Sequence, residues 1–336
     1  IIMKKVSKIF LGIFLVLSVN NCFAQSPSIE ESNKGQNIQI FSLDNSNGKI
    51  NAKSIEKAFN ESGVTVDVNN DMNSIFSKRY GNIHHKNYNL AIFHDEKSIL
   101  NLMKKYPSIG LITPLSMSIY SDDTKNTINI STLSLNGMSR ITKIPVTNTD
   151  LIAYAKSVDT ALHKALPNGA YIAVNHDIKP KDKSLTTDFS FELELEDGTT
   201  YSELKEDFKA EFEGELGPVG YLVPKSYKFQ HDDYDFFDTY SIIRFNAIYP
   251  VSKKHPDAGA YAPFSLVMYK KKDNDTVHIQ FPSINNWIND LGIKEEETIK
   301  AVNKTHNYSV SSKRISLIIL CVLLTALIVS SSLIPK

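Results

Sequence analysis

Between Cys22 and Cys321 the 336-residue chain has no cysteine. A disulfide framework, a thiolate nucleophile and a cysteine metal site are therefore excluded from everything but two apolar terminal segments. Charge of one sign is lacking as well: 37 Lys plus Arg balance 37 Asp plus Glu. No overall field recruits nucleic acid or an anionic surface, and no nucleic-acid partner is expected. The G-x-S-x-G elbow, the H-E-x-x-H helix and the Walker-type phosphate loop are also missing, and with them the common signatures of hydrolases, metalloproteases and nucleotide enzymes.

What is present begins with the two ends. Lys4, Lys5 and Lys8 precede an apolar run from Ile9 to Val19, and Cys22 and Ala24 stand at −3 and −1 before Gln25. The run is shorter than the roughly 20 residues that span a bilayer, so residues 1–24 read as a secretory signal peptide, with acylation of Cys22 as the rival reading. Residues 315–335 carry no charge and are flanked by Lys313, Arg314 and Lys336. At about 1.5 Å per residue they match a hydrocarbon core of about 30 Å and read as a transmembrane helix. Together these segments place the body outside the cytoplasm, in the periplasm or on the outer face, with the membrane as a partner through the C-terminal helix.

A pattern is repeated between them. KKYPSIGLITPLSMSIY at 104–120 returns as KKHPDAGAYAPFSLVMY at 253–269. Pro107 and Pro256, Gly110 and Gly259, Pro114 and Pro263, Ser116 and Ser265, and Tyr120 and Tyr269 each stand 149 positions apart. The same offset relates Ile55 to Leu204, Phe59 to Phe208, Thr127 to Thr276, Ile128 to Val277 and Ile130 to Ile279. Three elements in one register indicate a tandem duplication. A first repeat domain over 36–175, a polar linker over 176–188 and a second, divergent repeat domain over 189–308 follow.

Each repeat reads as α+β, an antiparallel sheet packed on helices. In the first, strands are expected at 38–43, 64–68 and 87–93. Helices are expected at 52–62, ended by Gly63, after a cap at Asp95, and after a cap at Thr149. Alternation in Leu115, Met117 and Ile119, followed by a polar turn, marks a hairpin, and Phe264, Leu266 and Met268 mark its counterpart. The second repeat shows strands at 189–195 and 240–245 and helices at 201–212 and 294–306. Pro250 is expected to shorten or break the counterpart of the helix capped by Asp95. Gly110 and Gly259 are expected to permit backbone that side chains would obstruct.

The run S-G-V-T-V-D-V-N-N-D at 62–71, the helix ending Y-P-S-I-G and the strand P-L-S-M-S-I-Y resemble the family called domain of unknown function 302. The resemblance implies a fold similar to the TATA-binding-protein-like class and implies no activity. Many relatives carry a cysteine and an Asn-Pro pair after the third strand and another cysteine after the proline before the hairpin. Those places hold Phe93, His94, Asp95 and Leu115 here, so no thiol chemistry carries over.

Two groups of residues are candidates for function. His84, His85 and His94 would supply imidazole to a transition metal if a turn brought them together; the plainer reading is a polar loop before a strand. In HDDYDFFD at 231–238, Asp232, Asp233, Asp235 and Asp238 could supply oxygen ligands to calcium but lack the glycine-containing spacing of an EF-hand loop, and the favoured reading is a solvated acidic loop. Tyr234, Phe236, Phe237 and Tyr240, with Asp233 and Asp235 beside them, are the candidate surface for a ligand or partner; the alternative is that these aromatics fill a core between the domains. No cofactor is implied. The function that follows is a non-enzymatic envelope module that binds a small ligand or an envelope protein. The alternative is a metal-dependent or redox accessory enzyme using His or carboxylate residues.

Overall fold

The computed structural model describes residues 35–300, except 123, 175–184, 196, 219, 284–287 and 289. The expected signal peptide and transmembrane segment, most of the expected linker and the end of the last expected helix lie outside the described residues. Among the described residues no helix is long and apolar enough to cross a membrane.

The first sheet starts with β1 (Ile38–Asp44). Asn51 then caps α1 (Ala52–Asn60) by accepting from the Lys53 and Ser54 backbone N–H groups, while Ser54 returns a bond to Asn51. Ile55 and Phe59, one turn apart, bury the inner face of this helix. Gly63 adopts φ +84°, which turns the chain into β2 (Thr65–Asp71). Next comes α2 (Met72–Tyr80), which the sequence pattern left unread because Met72 and Phe76 are its sole buried residues. After β3 (Tyr88–His94), Asp95 caps α3 (Glu96–Met103) by accepting from Ser98 N–H. Pro107 opens a 3-10 turn, and the hairpin follows as β4 (Leu115–Asp122) and β5 (Thr127–Leu133). The repeat closes with α4 (Leu135–Thr142), α5 (Thr149–Ala165) and the short β6 (Ala170–Ile172); the cap of α5 is Asn148 rather than Thr149. The antiparallel order is β2-β3-β4-β5-β1-β6.

The second sheet contains β7 (Thr186–Glu192), β8 (Leu222–Phe229), β9 (Tyr234–Ile243), β10 (Phe264–Lys271) and β11 (Thr276–Pro282), in the order β8-β9-β10-β11-β7. The helices are α6 (Tyr201–Leu216) and α7 (Phe245–Ser252). This is the order of the first sheet without β6. The bounds of α3, β4 and β5 recur 149 positions later in α7, β10 and β11. Pro250 therefore neither shortens nor breaks α7, contrary to expectation. It forfeits one bond to the carbonyl of Asn246, and burial of Ala247, Ile248 and Val251 holds the helix. The strand expected at 240–245 begins at Tyr234, so the supposed acidic loop is largely strand; β7 starts inside the expected linker.

The two sheets meet along a seam. The 3-10 turn of Pro107–Ile112 packs on β10, and that of Pro256–Ala260 packs on β4 and β5. A Cβ on Gly110 would overlap the Val267 side chain, and one on Gly259 would overlap the backbone and Cβ of Ser118. Space, not a left-handed backbone, is thus what both glycines provide. Ser116 donates to the Pro263 carbonyl and Ser265 to the Pro114 carbonyl. His85 Nε2 lies 2.7 Å from the Ser252 carbonyl, and Tyr234 donates over 2.7 Å to the Met103 carbonyl. In every pair each residue has its mate 149 positions away with roles exchanged, as in an isologous dimer interface.

Candidate functional site

The aromatic stretch of β9 is not a surface. Tyr234, Phe236, Phe237 and Tyr240 are exposed by 3, 5, 0 and 1%. Both faces of the strand are covered, which is why its residues alternate between two cores. Phe236 and Tyr240 pack beneath α6 with Phe208 and Leu216, whereas Phe237 joins the core shared with the first sheet. Asp235 is unpaired in a bulge, since Lys271 faces Tyr234 and Lys270 faces Phe236. The bulge swings Tyr234 back toward Phe237, with ring centres 5.1 Å apart. Asp235 itself accepts from Tyr201 at 2.6 Å and from Lys205 at 3.1 Å. Asp233 is exposed, and its N–H donates to His231.

The three histidines are not brought together either. His84 and His85 lie before β3 and reach the carbonyls of Tyr249 and Ser252. His94 ends that strand, about 20 Å away at the usual rise per residue. Among the described residues no group of three or more His, Cys, Asp or Glu side chains is placed to hold a metal ion.

His94 has different company. Its Nδ1 lies 2.6 Å from Asp67 Oδ2, and the same oxygen accepts from the Tyr227 hydroxyl at 2.6 Å. Asp67 falls in a bulge of β2 between Val66 and Val68, beside the end of β3. Tyr227 comes from β8 of the second sheet, and its ring centre is 5.2 Å from that of His94. The His94 and Asp67 side chains keep 13 and 11% of their surface exposed, so the pair is sheltered but reachable. Burial alone would raise the Asp67 carboxyl, but hydrogen bonds from His94 and Tyr227, the positive charge of His94 when protonated and the nearby Lys225 ammonium hold it below the ordinary carboxylate value. Burial and the hydrogen bond to Asp67 push the Tyr227 phenol far up.

An ionised carboxylate only accepts, so the ring nitrogen facing Asp67, Nδ1, carries a proton, and in the neutral ring Nε2 then carries the lone pair. Among the described residues no group hydrogen-bonds to that Nε2. The arrangement suits a ring nitrogen that accepts a hydrogen bond or a proton from a bound molecule. It occurs at one end of the seam alone. At the pseudo-equivalent end Ile243 stands for His94, the bulge of β8 holds Val223 and Pro224, and Asn70 takes the register position of Tyr227. The sequence flagged His94 and missed its partners. The unbroken V-T-V-D-V alternation hides the bulge at Asp67, and Tyr227 lies 160 positions away.

Residues 50–168 match the family model described as domain of unknown function DUF302. The resemblance read from the motifs thus holds, and both Asp67 and His94 lie within the match. Three solved chains match. One, an uncharacterized conserved DUF302 protein from Bacillus stearothermophilus, is 10% identical over 38% of this chain and 97% of its own, with a TM-score of 0.31. No curated protein matches.

Proposed function

We propose that this chain is an exported, membrane-anchored envelope module, built by tandem duplication of a TATA-binding-protein-like domain, that binds a small ligand at the seam between its repeats. The charged leader before the apolar run at 9–19 and the uncharged run at 315–335 support export and anchoring. The observation that carries the binding role is the His94–Asp67–Tyr227 cluster, which draws on both sheets and leaves Nε2 open. The repeats themselves serve as a rigid frame, since their seam is a packed interface rather than a cleft. Along its centre, the gap lined by Leu111, Pro114, Ala260, Tyr261 and Pro263 is about 10 Å³, near the lower bound for one water.

Native mass spectrometry of the full chain, released from its own membranes in mild detergent, tests this reading. A bound species is expected in the wild type and is expected to be lost from His94→Gln. A species retained equally by both proteins, or no bound species in either, overturns the seam site. A His- or carboxylate-using accessory enzyme is the second reading, and the same His–Asp pair favours it.

A further inference from the structure

We infer that His94 Nε2 is a proton acceptor, and that the seam ligand presents to it an O–H, N–H or S–H group. This deepens, and rests on, the reading of the seam as a ligand site. Asp67 stands in the bulge and as a carboxylate can only accept, so Nδ1 of His94 carries a proton and the neutral ring is the Nδ1–H tautomer. A second donor, Tyr227, holds the carboxylate from the other sheet, which leaves Asp67 little freedom to turn away. His84 and His85 reach backbone carbonyls of α7 through Nε2, whereas His94 meets a side-chain carboxylate through Nδ1 and has no hydrogen-bond partner at Nε2 among the described residues.

The charged and titratable groups around His94 leave this role intact. Tyr227 and Lys225 approach from β8 and Asp67 from β2. Asp95, next along the chain, has its carboxylate engaged by Ser98 N–H at 3.2 Å and Ser98 Oγ at 2.8 Å. Tyr154 of α5 points its hydroxyl toward the Ile112 carbonyl. Lys225 is the one lysine or arginine among these groups, and its ammonium lies over the Tyr227 ring. In the proposed step one proton moves from the ligand donor to Nε2. The ligand is left as its anion and the imidazolium is held by the Asp67 carboxylate through Nδ1–H, so charge and protons balance.

The test uses the full chain in detergent with ¹⁵N-labelled histidine, and diethyl pyrocarbonate as a chemical probe of bare imidazole nitrogen. In the neutral ring the His94 signals are expected to be those of the Nδ1–H tautomer. Carbethoxylation at His94, located by peptide mass spectrometry, is expected to slow by about tenfold in Asp67→Asn, in line with loss of an orienting partner. The rate at His163, on the far side of the first sheet, is the internal control and is expected to stay unchanged. A His94 resonance of the Nε2–H tautomer, or an unchanged rate in Asp67→Asn, overturns the inference. If Asp67→Asn does not fold, the wild-type tautomer decides alone. Should that tautomer prove wrong while a ligand is still lost from His94→Gln, binding stands and proton acceptance falls.

Discussion

At the scale of single residues, the two repeated glycines are unequal. A methyl group on Gly259 meets the backbone of Ser118, which cannot move without disturbing β4, whereas one on Gly110 meets the Val267 side chain, which can be trimmed. Gly259→Ala is therefore expected to cost about 1–3 kcal/mol by overpacking, and Gly110→Ala less. Pairing Gly110→Ala with Val267→Ala is expected to restore part of the loss in urea denaturation; no comparable rescue is expected for Gly259→Ala from trimming side chains. Asp67 has its own signature. Because its folded-state value is depressed, its stabilising contribution is complete above the ordinary carboxylate range and is lost as pH falls through the lowered value. The gap in urea midpoint between wild type and Asp67→Asn is expected to shrink as pH falls below about 4, toward and through the lowered value. A gap that stays undiminished throughout that acid range would show that Asp67 is not held as the anion.

At the scale of elements, α6 shows how the second repeat departs from the first. In α1 the inner face is Ile55 and Phe59, whereas α6 meets β9 through residues spaced by four: Tyr201 and Lys205 bond Asp235, Lys209 lies 2.6 Å from Asp238, and Glu213 accepts from Tyr240 at 2.9 Å. The Lys209–Asp238 pair is nearly fully buried, at 8 and 3% side-chain exposure. Asp238→Ala leaves the Lys209 ammonium buried without its partner and is expected to cost about 3–5 kcal/mol, while joint replacement by Met and Leu is expected to be near neutral. Thermal unfolding of the three variants checks this; equal losses in the single and joint variants would refute it. These elements also mark what the sequence discloses. Alternation and proline reveal the hairpins and α3, because those signals are local. The nine residues of α2 bury two side chains, and β8 carries Pro224 with little alternation, so neither announces itself. The aromatic run of β9 reads as surface because Asp residues punctuate it. In the folded chain those carboxylates are paired to α6, or point outward, as Asp233 does.

At the scale of the whole molecule, the exchanged contacts across the seam account for the same hairpin motif standing at both places. Gly110, Pro114 and Ser116 serve the interface as much as the fold, and Gly259, Pro263 and Ser265 answer them from the other side. Symmetry then fails where chemistry is expected, since His94, Asp67 and Tyr227 have Ile243, Val223 with Pro224, and Asn70 as counterparts. Two similar units in one chain permit this: one end of a two-fold seam can carry a cluster that the other end lacks, which a homodimer of identical copies cannot do. An interface of this kind is expected to hold without its covalent link. With a protease site inserted between residues 175 and 185, cleavage of the full chain is expected to leave both fragments co-eluting in gel filtration at physiological salt. Adding Gly259→Ala is expected to release the first-repeat fragment after cleavage, because the substitution separates the turn from β4. Fragments of the parent protein that part on cleavage alone would mean that the seam is held by the tether, and the isologous reading of its contacts would fail.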